Sequence, residues 1–296
     1  NYAHIGVAAS SISNQDSVRI GRCMFGRVRY NFTDSTYTCG HDDWVGSFSY
    51  PNLAGDTDIW RPLVFIDSAE DVLVTQNLFA IDVFYRPNPP GSTLPINLFN
   101  GRVGLLSQNT REYIIRENQF YGTNQYSVLM KNTPDYASKF EGNIINGGGS
   151  QSISNQLMCG ALIENGDSLV VYSNQFNTLH RGLEMYGAGN YPDTVKDNRF
   201  ENNTYGLAIA PNEWPLTSDT TQNKDTSLIK VQIHCNKFTS NTIAIGGSGN
   251  LQDQLGINHE DSADVGNAFT YTTDWDFIWQ DNDTSLVRYY TSNNSD

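Results

Sequence analysis

Short apolar segments alternate with polar turns along the whole chain, and one pattern returns repeatedly. Two apolar residues, two positions apart, precede an asparagine by five and three positions, and a phenylalanine follows the asparagine two positions later. The matched copies are Val72-x-Val74-x-x-Asn77-x-Phe79, Tyr113-x-Ile115-x-x-Asn118-x-Phe120, Leu169-x-Val171-x-x-Asn174-x-Phe176 and Val231-x-Ile233-x-x-Asn236-x-Phe238. Degenerate copies end in Asn143-x-Ile145, Asn198-x-Phe200 and Asn267-x-Phe269, and an early copy, Val18-x-Ile20-x-x-Cys23-x-Phe25, has cysteine in place of asparagine.

This pattern predicts a stack of β-strands. Apolar residues two positions apart lie on one face of a strand, and one coil alone cannot bury that face. Stacked coils would bury it and would pair each strand with the next. Asparagines at one coil position would then form a ladder of side-chain amides, and the phenylalanines would form an inner aromatic column.

Two further strands are predicted for each coil. One follows the phenylalanine, as in Gly182-Leu183-Glu184-Met185, Gly206-Leu207-Ala208-Ile209, Val128-Leu129-Met130 and Ile243-Ala244-Ile245. Another precedes the asparagine pattern, as in Leu162-Ile163-Glu164, Leu63-Val64-Phe65-Ile66 and Val103-Gly104-Leu105-Leu106. The sequence therefore predicts an all-β fold, a single right-handed parallel β-helix with three strands per coil.

Interruptions of the pattern define the expected organisation. We expect residues 1–296 to form one domain with insertions at about 31–60, 84–100 and 211–227. Residues 250–296 are expected to cap the stack, because an uncovered last coil would expose strand edges.

At these repeats the chain resembles right-handed parallel β-helix repeat proteins, the group that includes pectate lyase-like folds. The resemblance covers about residues 5–270 and implies a fold, not an activity. The tail from Asn267 to Tyr290 is similar to sequences that follow such repeats in large secreted proteins of Bacteroidetes. That similarity implies a segment of a secreted or cell-surface protein.

Charge narrows the choice of partners. The formal net charge is −14, which disfavours nucleic acid and anionic lipid as partners. No apolar run is long enough for a transmembrane helix. We expect an extracellular or cell-surface location. Of the four cysteines, Cys23 and Cys39 are the pair expected to form a bridge if any does, and free thiols are the alternative.

Catalytic carboxylates would have to come from outward strand positions or from loops. The outward positions expected for the strand after the phenylalanine and for the asparagine strand hold no carboxylate pair, which argues against an enzyme built there. They are Leu129, Glu184, Ala208 and Ala244, and then Arg19, Leu73, Ile114, Val170, Thr194 and Gln232. The catalytic candidates are His180, Arg181 and Glu184, and the alternative is a turn with solvated charges.

Ligand and metal sites are predicted in the insertions and the tail. The aromatic candidates for a sugar-stacking surface are Trp44, Tyr50, Trp60, Tyr85 and Trp214. They would otherwise cover the core beneath long loops. Asp42, Asp43, Asp281 and Asp283 are candidates for structural Ca²⁺, and no other cofactor is expected.

These observations favour a non-catalytic extracellular scaffold or adhesion module of a bacterial surface protein. Its expected partner is a polysaccharide, a surface glycan or another domain of the same protein. The alternatives are a carbohydrate-active enzyme, either a polysaccharide lyase or a glycoside hydrolase, and a pure glycan-binding module.

Overall fold

Strands stacked in three parallel sheets make up the molecule. The computed structural model describes residues 7–10, 17–26, 61–80, 102–121, 126–134, 138–147, 158–187, 191–210, 231–248, 266–271 and 274–280. Within these ranges there is no α-helix, and every strand pairing is parallel.

The first seven coils each contribute one strand to each sheet. Sheet A contains β1 (Val7–Ser10), β4 (Arg61–Asp67), β7 (Arg102–Gln108), β10 (Tyr126–Pro134), β13 (Cys159–Asp167), β16 (Arg181–Tyr186), β19 (Tyr205–Ala210), β22 (Ile243–Ser248) and β24 (Trp275–Gln280). Sheet B contains β2 (Val18–Gly21), β5 (Val72–Thr75), β8 (Tyr113–Arg116), β11 (Lys139–Glu141), β14 (Val170–Tyr172), β17 (Asp193–Lys196) and β20 (Val231–His234). Sheet C contains β3 (Met24–Gly26), β6 (Leu78–Ala80), β9 (Gln119–Tyr121), β12 (Ile144–Asn146), β15 (Gln175–Asn177), β18 (Arg199–Glu201), β21 (Lys237–Thr239) and β23 (Ala268–Thr270).

A continuous asparagine ladder lies at the turn between sheets B and C, as the repeat predicted. Its members are Asn77, Asn118, Asn143, Asn174, Asn198, Asn236 and Asn267. Each side-chain oxygen accepts hydrogen bonds from the backbone N–H and the Nδ2 of the preceding asparagine; at Asn118 these are 3.0 and 2.9 Å long. Asn118 Nδ2 also donates to the Val74 carbonyl of the preceding coil. The ladder therefore satisfies buried polar groups at every step.

The residue before each ladder asparagine, and before Cys23 at the equivalent position of the first coil, has a left-handed backbone. These residues are Arg22, Gln76, Glu117, Gly142, Ser173, Asp197, Cys235 and Gly266, with φ between 53° and 66°. The left-handed residue is thus the one before the asparagine and not the asparagine itself. Only two of the eight are glycine. The other six adopt a backbone conformation that non-glycine residues disfavour.

An aromatic column fills the core beside the ladder. The Phe79 and Phe120 rings stack with centroids 4.4 Å apart, and the Phe200 and Phe238 rings stack at 4.8 Å. Ile145 interrupts the column, but Phe140 in the same coil occupies an inward position of sheet B where neighbouring coils have Ile115 and Val171. This coil therefore has its phenylalanine in sheet B and its branched residue in sheet C, the reverse of its neighbours, and so keeps about the same core volume.

Sheet A bends where its strands begin, at a position that is glycine in four of its strands, namely Gly104, Gly160, Gly182 and Gly206. An added Cβ at Gly182 would lie 2.5 Å from the Gly206 carbonyl oxygen and 2.9 Å from Phe200 Cδ1. Gly182 and Leu183 both face the core, so Arg181 before them and Glu184 after them both point outward. The bend therefore places two side chains, three residues apart in the sequence, on one outer face.

The strand assignment made from the sequence needs one correction. The segments containing Glu164 and Glu184 were expected to be two different strands of the coil, but both lie in sheet A and pair with each other. The third strand is the short segment around each phenylalanine, because the left-handed turn separates it from sheet B. The all-β parallel β-helix with three strands per coil is confirmed.

One residue prediction was wrong. Ala244 does not point outward: it is fully buried in the main core, and Gly246 is the residue in register with Ala208. Cys23, Cys159 and Cys235 carry free thiols, which was the alternative to a bridge between Cys23 and Cys39. Cys39 lies outside the described residues.

The expected insertions at 84–100 and 211–227, and all of 31–60, lie outside the described residues. Within 250–296, the strands β23 and β24 extend sheets C and A by one further coil.

Replacing one ladder asparagine should destabilise the whole stack. Asn174→Ala removes the acceptor of the Asn143 backbone N–H and Nδ2, and it removes the donor to the Phe140 carbonyl. Because buried polar groups would lose their partners, we expect the free energy of unfolding to fall by about 3 kcal/mol. Denaturant titration measures this change.

Gln175→Ala is the matched control, because this neighbouring amide side chain is exposed on sheet C. Its effect should stay within about 0.5 kcal/mol. Equal effects of the two substitutions would contradict a structural role for the ladder.

Candidate functional site

The outer face of sheet A carries the most unusual chemistry of the described residues. Over β4 to β13 this face carries a buried apolar cluster, made of Phe65, Val103, Leu106, Tyr126, Leu129, Cys159 and Leu162. In β16, the position in register with Cys159 is Arg181, and the position in register with Leu162 is Glu184. Two ionisable side chains therefore occupy positions that hold apolar side chains in the preceding strand.

Arg181 and Glu184 form a buried ion pair. Arg181 Nη1 donates to Glu184 Oε1, and the two side chains are only 7% and 3% exposed. Burial lowers the pKa of the Arg181 guanidinium, but the Glu184 carboxylate, with smaller contributions from Cys159 and Tyr126, outweighs burial, and the pKa is raised. Among the described residues, Arg181 Nε has no hydrogen-bond acceptor. The pair is thus a charged unit that mainly satisfies itself.

His180 lies beside this pair but does not join it. Its ring contacts Tyr205 edge to face, with centroids 5.7 Å apart. Burial, together with the positive charge of Arg181, lowers the pKa of His180 to about 4. The imidazole is therefore neutral near pH 7, where it could accept a proton only weakly.

The buried Cys159 thiol is the third member of the cluster. Burial, and after it the negative charge of Glu184, raises the pKa of Cys159 well above its usual value. Because the thiolate is the reactive form, this thiol is held unreactive. The cluster of Arg181, Glu184 and Cys159 shows no activated nucleophile.

A second ion pair lies on the same outer face. Lys131 Nζ is 2.9 Å from Glu164 Oε2, and Glu164 is in register with Tyr186, two residues beyond Glu184 in β16. Sheet geometry puts the Cα atoms of Glu164 and Glu184 about 8 Å apart. The two carboxylates are the nearest approach to a catalytic pair among the described residues, but each already contacts a cation of its own.

Asp193 is a buried carboxyl away from this face. It occupies an inward position of β17, in register with Val231, and its Oδ1 accepts a 2.8 Å hydrogen bond from the Leu169 N–H. Burial and, to a smaller extent, the Asp167 charge raise the pKa of Asp193 to about 7, against the lowering effect of that hydrogen bond. A core position thus holds a group that titrates near neutrality.

The other predicted site residues lie outside the described residues. They are the aromatic candidates Trp44, Tyr50, Trp60, Tyr85 and Trp214 and the calcium candidates Asp42, Asp43, Asp281 and Asp283. In the part of the chain that is described, no three potential metal ligands come together. No helix there is long and apolar enough to cross a membrane.

Several polar features were missed by sequence reasoning. Asn203 and Asn241 form a second buried ladder at the turn from sheet C to sheet A, where Asn203 Nδ2 donates to Asn241 Oδ1. Its signal was present, because each follows a main-ladder asparagine, Asn198 or Asn236, by five residues. A third, exposed ladder of Asn109, Asn132 and Asn165 starts from Asp67. The outward Lys139 of β11 was also missed, because its coil lacks the full repeat.

Asp193→Asn should change how stability depends on pH. The folded pKa of about 7 lies above the ordinary value of 3.8, so the protonated carboxyl stabilises the fold fully below pH 3.8. This contribution is lost as the pH rises through 7. The amide keeps the acceptor for Leu169 and never ionises. We expect the variant to gain on the wild type by at most about 1.4 kcal/mol per pH unit across this window.

Denaturant midpoints measured from pH 4 to pH 8 check this expectation. Asp197→Asn, at an exposed turn position, is the control, and its difference from the wild type should vary much less with pH. A constant difference for Asp193→Asn would show that Asp193 titrates normally.

Replacing one partner of the Arg181–Glu184 pair should lower the free energy of unfolding more than replacing both partners. Glu184→Gln leaves a buried guanidinium without its counter-charge, so we expect a loss of about 3–5 kcal/mol in the free energy of unfolding. The double variant Arg181→Met/Glu184→Met removes both charges and should be clearly more stable than the single variant. Chemical denaturation compares the two, and a single substitution costing under about 1 kcal/mol would refute a buried, coupled pair.

Comparison with known proteins agrees with this architecture. A family model described as "Right handed beta helix region" matches residues 96–252, just over half of the chain. The matched part holds β7 to β22 and the ladder from Asn118 to Asn236. No curated protein matches the chain. The family match, the three parallel sheets and the amide ladder together show that this chain belongs to the right-handed β-helix family.

Proposed function

We propose that the chain is a non-catalytic β-helix scaffold or adhesion module of an extracellular bacterial surface protein. The observation that carries the proposal is the continuous ladder from Asn77 to Asn267. Each coil is fixed to the next by buried hydrogen bonds as well as by strand pairing, and such a stack resists bending and slippage. A stiff element of this kind suits a part that holds other groups at set distances.

The state of the sheet A cluster also supports a non-catalytic role. A glycoside hydrolase needs one carboxyl that gives a proton and another that acts as base or nucleophile. Glu184 and Glu164 each contact a cation, and Glu184 is almost fully buried. His180 has a lowered pKa and Cys159 a raised one, so neither is tuned for catalysis near pH 7.

The alternative is a carbohydrate-active enzyme, and one observation favours it. Glu164 and Glu184 lie on neighbouring strands of one outer face, at a Cα separation of about 8 Å from sheet geometry. Inverting glycosidases hold the carboxyl groups themselves roughly 6.5–9.5 Å apart, a separation within reach of two glutamate side chains whose Cα atoms lie at this distance. A glycan-binding module without catalysis is the third proposal, and structural Ca²⁺ at Asp42, Asp43, Asp281 and Asp283 remains a prediction.

An activity panel separates the scaffold from the enzyme. The wild type is incubated with neutral and uronate-containing polysaccharides, and release of reducing ends and of unsaturated products is followed. We expect no turnover above that of the Glu184→Gln and Glu164→Gln variants, because the paired carboxylates are not available for proton transfer. Thermal unfolding establishes that each variant is folded.

Turnover that is abolished by a folded Glu164→Gln or Glu184→Gln variant would overturn the scaffold proposal. His180→Gln serves as a further variant if Glu184→Gln proves too unstable, because His180 lies next to the ion pair without contributing to it.

A further inference from the structure

Positive charge is concentrated on the outer face of sheet B, although the chain carries a net charge of −14. The outward positions of its strands form two columns in register. These columns hold four basic residues and one acidic residue among the described residues, namely Arg19, Arg116, Lys139, Lys196 and Glu141. The face therefore has the opposite sign to the molecule as a whole.

Three of these cations have no anionic partner within the described residues. Arg19 pairs with Asp71, but Arg116, Lys139 and Lys196 form no ion pair. Glu141 is in register with Arg116, and yet it does not pair with it. The Nε atom of Arg116 is buried and meets no acceptor. A half-buried guanidinium without a partner is costly, and an added anion would offset that cost.

An aromatic side chain lies among the cations. Tyr172 is 37% exposed, and Lys196 Nζ lies 5.1 Å from the centre of its ring. Ile114 and Val170, in the other outward column, are only half-buried. The face therefore offers apolar surface next to positive charge. His234, in register with Lys196, is mostly uncharged near pH 7, because burial and then the Lys196 charge lower its pKa.

The spacing of these groups is fixed by the stack. Arg116, Lys139, Tyr172 and Lys196 come from the consecutive strands β8, β11, β14 and β17. At about 4.8 Å per strand, they span about 14 Å along the helix axis. Their backbones are already held by the strand pairing and by the neighbouring ladder, so the binding of a ligand costs little backbone conformational entropy.

We propose that the outer face of sheet B binds an anionic glycan strand that lies along the helix axis. Arg116, Lys139 and Lys196 contact its sulfate or carboxylate groups, and Tyr172 packs against a sugar ring. At physiological ionic strength, salt screens the repulsion between the ligand and acidic residues more than about 8 Å away. The charges on this face therefore determine whether an anion binds there. The inference goes beyond the scaffold role and does not depend on it.

A glycan fits this face better than an acidic peptide. An extended peptide that binds by adding a strand gains affinity from main-chain hydrogen bonds to a free sheet edge. These residues lie on the face of a sheet whose strands β8 to β17 are paired on both sides, so no backbone groups are offered there. Recognition must come from side chains. An exposed aromatic ring beside cations suits the apolar face of a sugar that also carries acidic groups.

Binding to defined polymers tests the proposal. The probes are dextran sulfate and polygalacturonate, which represent sulfate and carboxylate groups, with uncharged dextran and polyglutamate for comparison. Biolayer interferometry at low and at physiological salt compares the wild type with Arg116→Gln/Lys139→Gln/Lys196→Gln. We expect this triple variant to bind at least one anionic glycan about tenfold more weakly.

The matched control removes the same charge elsewhere. Arg22→Gln/Arg111→Gln/Lys237→Gln alters exposed residues outside sheet B and should change affinity by less than about twofold. Equal weakening by both triple variants would reduce the effect to net charge and overturn the proposal. Absence of binding to both anionic glycans at low salt would overturn it as well.

Tyr172 separates a glycan from an acidic peptide. Tyr172→Ala should weaken glycan binding and leave any polyglutamate binding unchanged, whereas Tyr172→Phe should behave as the wild type. Polyglutamate binding as tight as that of the glycans would assign the face to an acidic protein and refute the glycan. None of these outcomes bears on the scaffold proposal, which fails only through turnover in the activity panel.

Discussion

Stacking of side-chain amides in one file is the interaction on which the rest of this structure depends. A ladder asparagine uses its oxygen for two hydrogen bonds from the preceding coil and its Nδ2 for a carbonyl of that coil and for the next amide. All of these groups are buried beside the phenylalanine column. A coil shifted by one residue would leave them without partners, so the ladder sets the register of all three sheets at once.

The ladder also explains a backbone that would otherwise be unfavourable. Six non-glycine residues precede ladder positions with positive φ, including Gln76, Glu117 and Asp197. A left-handed conformation costs such residues about 1–2 kcal/mol each. The turn keeps it because the next residue must point its amide inward while the chain passes from sheet B to sheet C. At Cys23 the thiol cannot extend the ladder, although its N–H still donates to Asn77 Oδ1.

The fold could be predicted from the sequence because the repeat places one asparagine at the ladder position of almost every coil. The spacing of Asn77, Asn118, Asn174 and Asn236 with their phenylalanines was sufficient to predict the ladder and the coil. The degenerate copy ending in Asn143-x-Ile145 was recognised, but the strand before it, with Lys139 and Phe140, was missed. Prediction also failed where sheet A bends at Gly182. The bend changes strand alternation locally, so counting by twos misplaced Ala244. The candidate site was harder to predict than the fold. Arg181 and Glu184 were identified from the sequence, but their burial and pairing were not, because these depend on which parts of the chain meet in space.

The distance from one ladder asparagine to the next varies between 24 and 41 residues, yet each interval yields one coil. The additional residues lie in sequence between described strands and add no further asparagine to the ladder. The length of the described stack therefore depends on the number of coils and not on the number of residues in each coil. An insertion or deletion between two strands would leave the register of the other coils unchanged, so the protein could be altered at one level of the stack while the rest keeps its place.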